Sequence, residues 1–307
     1  MKILITGGDG LMGNAFKAIQ ESYSNDDFIY ITRDDCDLLN KEDTYNVIKN
    51  IDPQFVIHTA ASVGGIQLNI DYPYRQYYDN LTINTNVING SFLNKIRNVI
   101  SFSSVCAFPE KHSVLKESNL HDGEPLAPHR FYAYAKRMVD IHNESLNKQY
   151  NYNYSSIIPV NIFGPHDNYN TQHGHVIPSL ISKFYQARSN NTSVEVWGNG
   201  EASREFIYSI DLARTCLELL QLDKMPQTII ASNSESVKIK EIVDTLKQVF
   251  KYDNIQYNTN KPVGHTTRVT DNTIFKNTLP NFKFSNLNDS LEESINWYID
   301  NYPRVRT

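Results

Sequence analysis

The chain has 307 residues, with 29 Lys and Arg against 34 Asp and Glu, a formal net charge of −5 and a pI near 6.0. That length supports a sizeable core in one large or two moderate domains, and an acidic balance without a basic block excludes nucleic acid as an expected partner. Cys36, Cys106 and Cys216 are odd in number and far apart, with neither a disulfide framework nor metal-ligand spacing, which suits a reducing cytoplasm. "MKILITGG" reaches glycine too early for a signal peptide, and no run of about 20 apolar residues predicts a membrane span.

In chain order, Lys2–Thr6 reads as a short buried strand, broken by "GGDGLMG" and followed by "NAFKAIQESY" at helical spacing. "FIYIT" is a second strand, "TYNVIKNI" a helix, "QFVIHTAA" a strand, "LTINTNVINGSFLNKI" a helix, and "NVISFSS" and "YSSIIPVNIFG" further strands. Apolar strands alternating with helices to about residue 160 predict an α/β fold, a Rossmann-type doubly wound parallel sheet. After Gly164 the pattern changes to a polar loop, "PHDNYNTQHGH", then an amphipathic helix, "VIPSLISKFYQA". "IKEIVDTLKQVF" carries apolar residues at 239, 242, 243, 246, 249 and 250, one face of a helix. The expected division is a dinucleotide-binding domain at 1–162 and 206–232, with a smaller α/β substrate lobe at 163–205 and 233–307. The abundance of Asn and Tyr reads as surface bias.

Two stretches carry chemistry on their own residues. In "TGGDGLMG", Gly7, Gly10 and Gly13 between strand and helix let backbone N–H groups approach a pyrophosphate at a helix N-terminus; a bare tight turn is the plain alternative. Arg33 follows Gly13 by 20 positions, where such folds read the ribose, and an arginine there pairs with a 2′-phosphate, favouring NADP over NAD; a solvated surface arginine is the alternative. In "FYAYAKR", Tyr132 and Lys136 fall on one helical face, so that the ammonium is expected to lower the phenol pKa toward neutrality for proton donation to a carbonyl. Tyr134 competes with Tyr132 but has Met138, not lysine, four residues on. Ser104, at the carboxyl end of a strand, is placed to hydrogen-bond the same carbonyl.

This combination resembles the extended short-chain dehydrogenase/reductase family. "GGIQLN", "SSVCAFP", "YAYAK", "NIFGPHDNY", "HVIPSL", "VWGNGEASREF" and "DLA", in order and at near-matching spacing from residue 1 to about 270, are similar to its GDP-L-fucose synthase group. The resemblance implies a cytoplasmic NADPH enzyme, usually a homodimer, with no metal, nucleic acid or membrane partner. Its substrate would be a GDP-4-keto-6-deoxy sugar, epimerised at C3 and C5 and reduced at C4 to make precursors of surface or capsular polysaccharide. Ser104, Tyr132 and Lys136 match the reductase triad, and Cys106 and His175 the epimerisation acid/base pair. Cofactor contacts fall on Gly7, Gly10, Leu11, Met12, Gly13, Arg33, Asp37, Ala60, Ala61, Asn80, Lys136 and Asn161. Substrate contacts fall on Val105, Cys106, Lys183, Trp197, Arg204 and Arg268.

The chemistry agrees with that assignment. A C4 carbonyl acidifies the protons at C3 and C5, and a thiol and an imidazole titrate near working pH. The plain readings are a small buried hydrophobe for Cys106, a hydrogen-bonded loop histidine for His175, core packing for Trp197 and a surface ion pair for Arg204. His166, His173 and His175 lack the fixed spacing and carboxylate partners of a metal site. Trp197 suits stacking on guanine and Arg204 a bidentate phosphate clamp. The chain departs from the group at Asp9, commonly arginine there, which leaves the NADPH preference to Arg33. Lys183 replaces a phosphate-binding arginine, Val263 an acidic residue and Val269 a lysine, while Arg268 remains. These changes are expected to line the sugar-nucleotide lobe and admit a related substrate, such as a GDP-4-keto-6-deoxy-heptose reduced without epimerisation. A nucleotide-sugar 4-epimerase holding NAD tightly and a non-catalytic dinucleotide-binding module are the other readings; the intact Tyr132/Lys136 pair speaks against the module.

Overall fold

The computed structural model describes residues 1–261 and 268–307. The first half runs β1 (Lys2–Thr6), α1 (Leu11–Ile19), β2 (Asp27–Ile31), α2 (Lys41–Ile51), β3 (Phe55–His58), α3 (Ile66–Asp71), α4 (Pro73–Leu93), β4 (Asn98–Phe102), β5 (Val114–Leu115) and α5 (Arg130–Tyr150). It continues through β6 (Asn153–Pro159), β7 (Asn161–Phe163), α6 (Val176–Asn190), β8 (Val194–Trp197), β9 (Ser203–Tyr208), α7 (Ser209–Leu220) and β10 (Thr228–Ala231). β11 (Ser236–Lys238), α8 (Ile239–Phe250), β12 (Ile255–Asn258), β13 (Val269–Thr270), α9 (Thr273–Thr278) and α10 (Leu287–Asn301) follow.

Six strands form one parallel sheet in the order β10-β6-β4-β3-β1-β2. Successive residues of β1 point to opposite faces. Ile3 and Ile5 join a cluster with Phe16, Leu212 and Leu217 from α1 and α7. Leu4 faces Ile48, Val87 and Val139 from α2, α4 and α5. A sheet covered on both sides needs apolar residues at every position, which is why "ILI" runs unbroken. This is the expected α/β, Rossmann-type doubly wound fold. The chain crosses back over β1 on its way from β2 to β3, so the crevice at the carboxyl ends of these strands lies beside the Gly-rich turn.

A second apolar cluster gathers Phe184 of α6, Val194 and Val196 of β8, Phe206 of β9, Leu246 and Phe250 of α8, and Leu291 and Tyr298 of α10. "YSSIIPVNIFG", expected as one strand, divides. β6 stays in the main sheet, Val160 N donates to the Ala231 carbonyl, and β7 turns away to pair with β9. Pro159 has no N–H to extend the ladder, which favours the break there. α4 begins eight residues before the stretch read as helix, with Pro73 in its first turn, where a missing N–H costs nothing.

The surface reading of Asn and Tyr is corrected in part: Tyr74 and Tyr78 are exposed, but others of both types are not. Asn80, Asn84, Asn86 and Asn143 are buried, as are Tyr154, Tyr169 and Tyr298. The amides tie helices to their neighbours: Asn86 of α4 donates to the Leu38 carbonyl in the loop before α2 at 2.9 Å, and Asn143 of α5 to Ser156 Oγ of β6 at 3.1 Å. A buried amide is retained where it satisfies backbone groups that no ladder reaches.

Candidate active site

The carboxyl ends of β1, β3, β4 and β6 open into one cleft of about 800 Å³, closed on its far side by α6, β8 and β9. At its first wall, Gly7 takes φ of +72°, and its carbonyl accepts from Gly10 N at 3.0 Å. A Cβ on Gly13 would stand 2.5 Å from the Gly7 oxygen, so α1 can approach the turn this closely only with glycine there. Gly7, Gly10, Leu11, Met12, Ala60 and Ala61 line the cleft; Gly13 does not, and serves by close packing. Arg33 and Asp37 are exposed on the same wall, with Asp9. Asp35, next to them, is committed to the Thr32 N–H and hydroxyl at 2.9 and 2.8 Å. A glycine turn under the N-terminus of a nine-residue helix, with an exposed arginine beside the following strand, fits a dinucleotide phosphate.

Asn80 differs from expectation. Its amide is buried, accepts from Ser62 N and donates to the Ser62 and Gln76 carbonyls, so it holds the loop after β3 instead of lining the cleft. Asn161 does line the cleft, and its amide donates to the Glu205 carbonyl at 2.8 Å.

The middle of the cleft is built by the end of β4. Ser104 Oγ accepts from Cys106 N at 3.2 Å and turns residues Val105–Ala107 back into a 3₁₀ turn. Arg137 of α5 grips that turn through the Ala107 carbonyl at 2.7 Å. This brings Cys106 into the wall beside Ser104, with Val105. From α5, Tyr132 hydrogen-bonds Ser104, and Lys136 donates to the Phe102 carbonyl at 2.8 Å with its ammonium 5.9 Å from the Tyr132 ring centroid. Tyr134 leaves the competition, since it donates to Glu124 at the surface at 2.7 Å.

One expectation is overturned here. The Tyr132 phenol is pushed up, not down: burial dominates, the neighbouring Cys106 adds to it, and only the Ser104 hydrogen bond opposes. Lys136 is itself brought down to about 8 by burial. Tyr132 is therefore held as a neutral O–H at neutral pH. Burial likewise raises the Cys106 thiol, against the Ser104 hydrogen bond and the charges of Arg268 and Arg204.

His175 stands just before α6, as its N-cap residue, and lines the cleft, with its imidazole lowered to about 4 by burial and by the charge of Arg306. The other two histidines go elsewhere: His166 packs against Trp297 with ring centroids 4.3 Å apart, and His173 pairs with Asp71 at 3.0 Å. "GGIQLN" is explained by contact with this loop. Gly65 N donates to the His173 carbonyl at 2.7 Å, and a Cβ on Gly65 would meet the Gly174 oxygen at 2.6 Å.

At the far end, the Trp197 ring lies under Lys183, 5.0 Å from its centroid, and Lys261, at 5.2 Å. Its indole N–H donates to Glu195 at 3.1 Å. Arg204 lines the cleft near enough to Cys106 to act on it. Arg268 lines the cleft and reaches the same thiol, and through Nε and Nη2 it also donates to the carbonyls of His112 at 3.2 Å and Pro109 at 2.5 Å, which clamps the loop after β4 and leaves the other N–H groups of the fork for a ligand. Of the departures, Lys183 lines the cleft, whereas Val269 pairs with Val114 in a small ladder and does not; Val263 lies outside the described residues. Sequence reasoning missed Lys261, Asp167 and Arg306 on the cleft's surroundings. "GPHDN" held the signal for Asp167; nothing marked the two cations.

The NAD dependent epimerase/dehydratase family model matches residues 3–231. A GDP-L-fucose synthase of Dictyostelium discoideum is 35% identical over 310 residues, covering 99% of this chain and 97% of that protein. The crystal structure of a GDP-L-fucose synthetase from Naegleria fowleri bound to NADP superposes with a TM-score of 0.90 at 32% identity, covering 100% of this chain and 95% of that one. A GDP-mannoheptose C4 reductase from Campylobacter jejuni with NADP bound gives a TM-score of 0.85 at 28% identity, with 97% and 98% covered.

Proposed function

The chain belongs to the NAD dependent epimerase/dehydratase family, and from that premise we propose that it is an NADPH-dependent enzyme that epimerises a GDP-4-keto-6-deoxy sugar at C3 and C5 and reduces its C4 ketone. The observation that carries this is the presence of Ser104, Cys106, Tyr132, Lys136 and His175 on one cleft, between a dinucleotide-type turn and a cationic aromatic pocket. When bound, the reduced nicotinamide supplies the hydride to C4. Ser104 and the neutral Tyr132 hydrogen-bond the C4 oxygen, and Tyr132 gives it a proton. Lys136 holds the end of β4 and supplies positive charge beside the phenol. Before reduction, the same two donors stabilise the enolate formed at C3 or C5. Cys106 and His175 move the ring-carbon protons, one removing and the other returning. Trp197, Lys183 and Lys261 take the GDP end, with the ring on guanine and the ammonium groups on phosphate.

The test is NADPH consumption across a panel of GDP-4-keto-6-deoxy hexoses and heptoses, with product stereochemistry read by NMR. Consumption with inversion at C3 and C5 is the expected result. Consumption without inversion leaves a pure C4-reductase, and no consumption with any member rejects the assignment. On the cofactor, Arg33→Ala should weaken NADPH at least about tenfold more than NADH, since a charge-assisted phosphate contact is lost. Equal weakening in a binding titration would give Arg33 to adenine stacking or to the fold, with Asp9 the better guide to cofactor choice.

A homodimer through α4 and α5 belongs to the same reading. It is supported by Tyr74, Tyr78, Phe131, Met138 and Ile141, exposed apolar residues on that helix pair. Among the described residues no helix is long and apolar enough to cross a membrane. Cytoplasmic placement is part of the proposal and rests on Cys36, Cys106 and Cys216 being free thiols.

A further inference from the structure

The segment after α10 returns to the cleft. The Arg306 carbonyl accepts from Tyr169 N at 2.8 Å, and Val305 packs on the second apolar cluster, so the backbone around Arg306 is anchored at two points. Its side chain is exposed, lines the cleft, and carries its Nη1 to 3.8 Å from where a Gly10 Cβ would stand. Gly10 is the residue that caps α1, where backbone N–H groups face the cleft. No ion pair within 4.0 Å holds this guanidinium among the described residues. Its charge nevertheless reaches both Asp167 and His175: burial pushes the Asp167 carboxyl up to about 7 with Arg306 opposing, and burial together with Arg306 brings the His175 imidazole down to about 4. Asp167 is 3% exposed and uses one oxygen on Asn168 N at 2.6 Å, while the other has no hydrogen-bond partner. One cation thus stands between the Gly-rich turn on one side and the loop carrying Asp167 and His175 on the other.

We propose that Arg306 binds the pyrophosphate of the dinucleotide, closing from the segment after α10 the anion site that the Gly-rich turn and the N-terminus of α1 begin. This rests on the cofactor reading above and adds a residue to it. The planar fork of an arginine suits a diphosphate bidentately, and the turn supplies N–H donors but no cationic side chain of its own. Asp9, the only charged side chain in "GGDGLMG", has the wrong sign, so any cationic side chain at the pyrophosphate comes from elsewhere in the chain. Arg33 is the candidate for the 2′-phosphate, which separates the two arginines by the part of the ligand each would read.

The experiment is equilibrium binding of NADPH, NADH and ADP-ribose to full-length wild type, Arg306→Gln and Arg306→Lys, with thermal unfolding of each. Pyrophosphate is common to all three ligands. Arg306→Gln should weaken all three by the same factor, roughly tenfold to a hundredfold, with Tm unchanged. Arg306→Lys should recover part of the loss, because it keeps the charge and loses the fork. Unchanged affinities in Arg306→Gln overturn the proposal, and a lowered Tm with unchanged affinities would make Arg306 only a counter-charge for Asp167. Selective loss of NADPH also overturns it, by moving Arg306 to the 2′-phosphate. Wild type that binds none of the three overturns the cofactor reading itself, and this proposal with it.

Discussion

Tyr132→Phe should abolish NADPH oxidation and leave NADPH binding nearly intact. The substitution removes one oxygen from a ring whose position is set by α5, so the cleft keeps its shape while losing its proton donor. Burial and Cys106 hold the phenol neutral, and Ser104 orients it. A neutral O–H is the form that donates to a C4 oxygen gaining charge. Loss of a positioned general acid costs about 10²–10⁴ in rate. The loss should appear in kcat and not in cofactor affinity. Tyr134→Phe is the internal comparison: Tyr134 bonds Glu124 at the surface, and its loss should leave turnover at the wild-type value. A Tyr132→Phe enzyme with wild-type turnover would remove Tyr132 from the mechanism.

The choice between those two tyrosines was legible from spacing alone, because lysine follows one of them at i+4 and methionine the other. The parallel sheet was legible for a similar reason. Ile3, Leu4 and Ile5 form an unbroken apolar run, and only a strand covered on both faces accepts one. What escaped the sequence depends on which groups meet across long separations. Arg268 reads as a substrate cation and does line the cleft, but its second task, holding the carbonyls of Pro109 and His112, has no mark in the sequence. Asn80 reads as a cofactor contact, yet its amide closes the loop at Ser62. Lys261 and Arg306 sit in segments without motif or periodicity, and only the packing of β12 on β8, and of Val305 on the second cluster, brings them to the cleft. The sign of the Tyr132 shift was misread because spacing reports a neighbouring charge and not the burial that outweighs it.

Deuterium exchange decides whether Cys106 does chemistry or packs beside the serine. Epimerisation acts on ring-carbon protons and reduction on the C4 carbonyl, so the two can be separated. Wild-type enzyme incubated in D₂O with a GDP-4-keto-6-deoxy sugar and no reduced cofactor should place deuterium at C3 and C5. Cys106→Ser should slow that exchange sharply, because a serine hydroxyl does not ionise in the range a thiol does. The thiol's surroundings set the scale of the effect. Burial raises it, while the Ser104 hydrogen bond and the charges of Arg268 and Arg204 work to restore the thiolate. His175→Asn should impair exchange by removing the partner that moves the second proton. The imidazole of the free enzyme titrates at about 4, held down by burial and by Arg306, so it is neutral at pH 7 and gains its proton only as pH falls through that value. Any limb of the exchange rate that His175 sets should accordingly lie near pH 4, and not near the 6.5 of an unperturbed histidine, while a limb set by the buried Cys106 thiol lies far above it. Both variants should still reduce a ketone supplied with its C3 and C5 already inverted, because Ser104, Tyr132 and Lys136 are untouched. Wild-type enzyme that washes in no deuterium yet reduces the ketone well would sink the epimerase reading, leaving a C4-reductase in which Cys106 is a wall of the pocket held in place by Ser104 and Arg137.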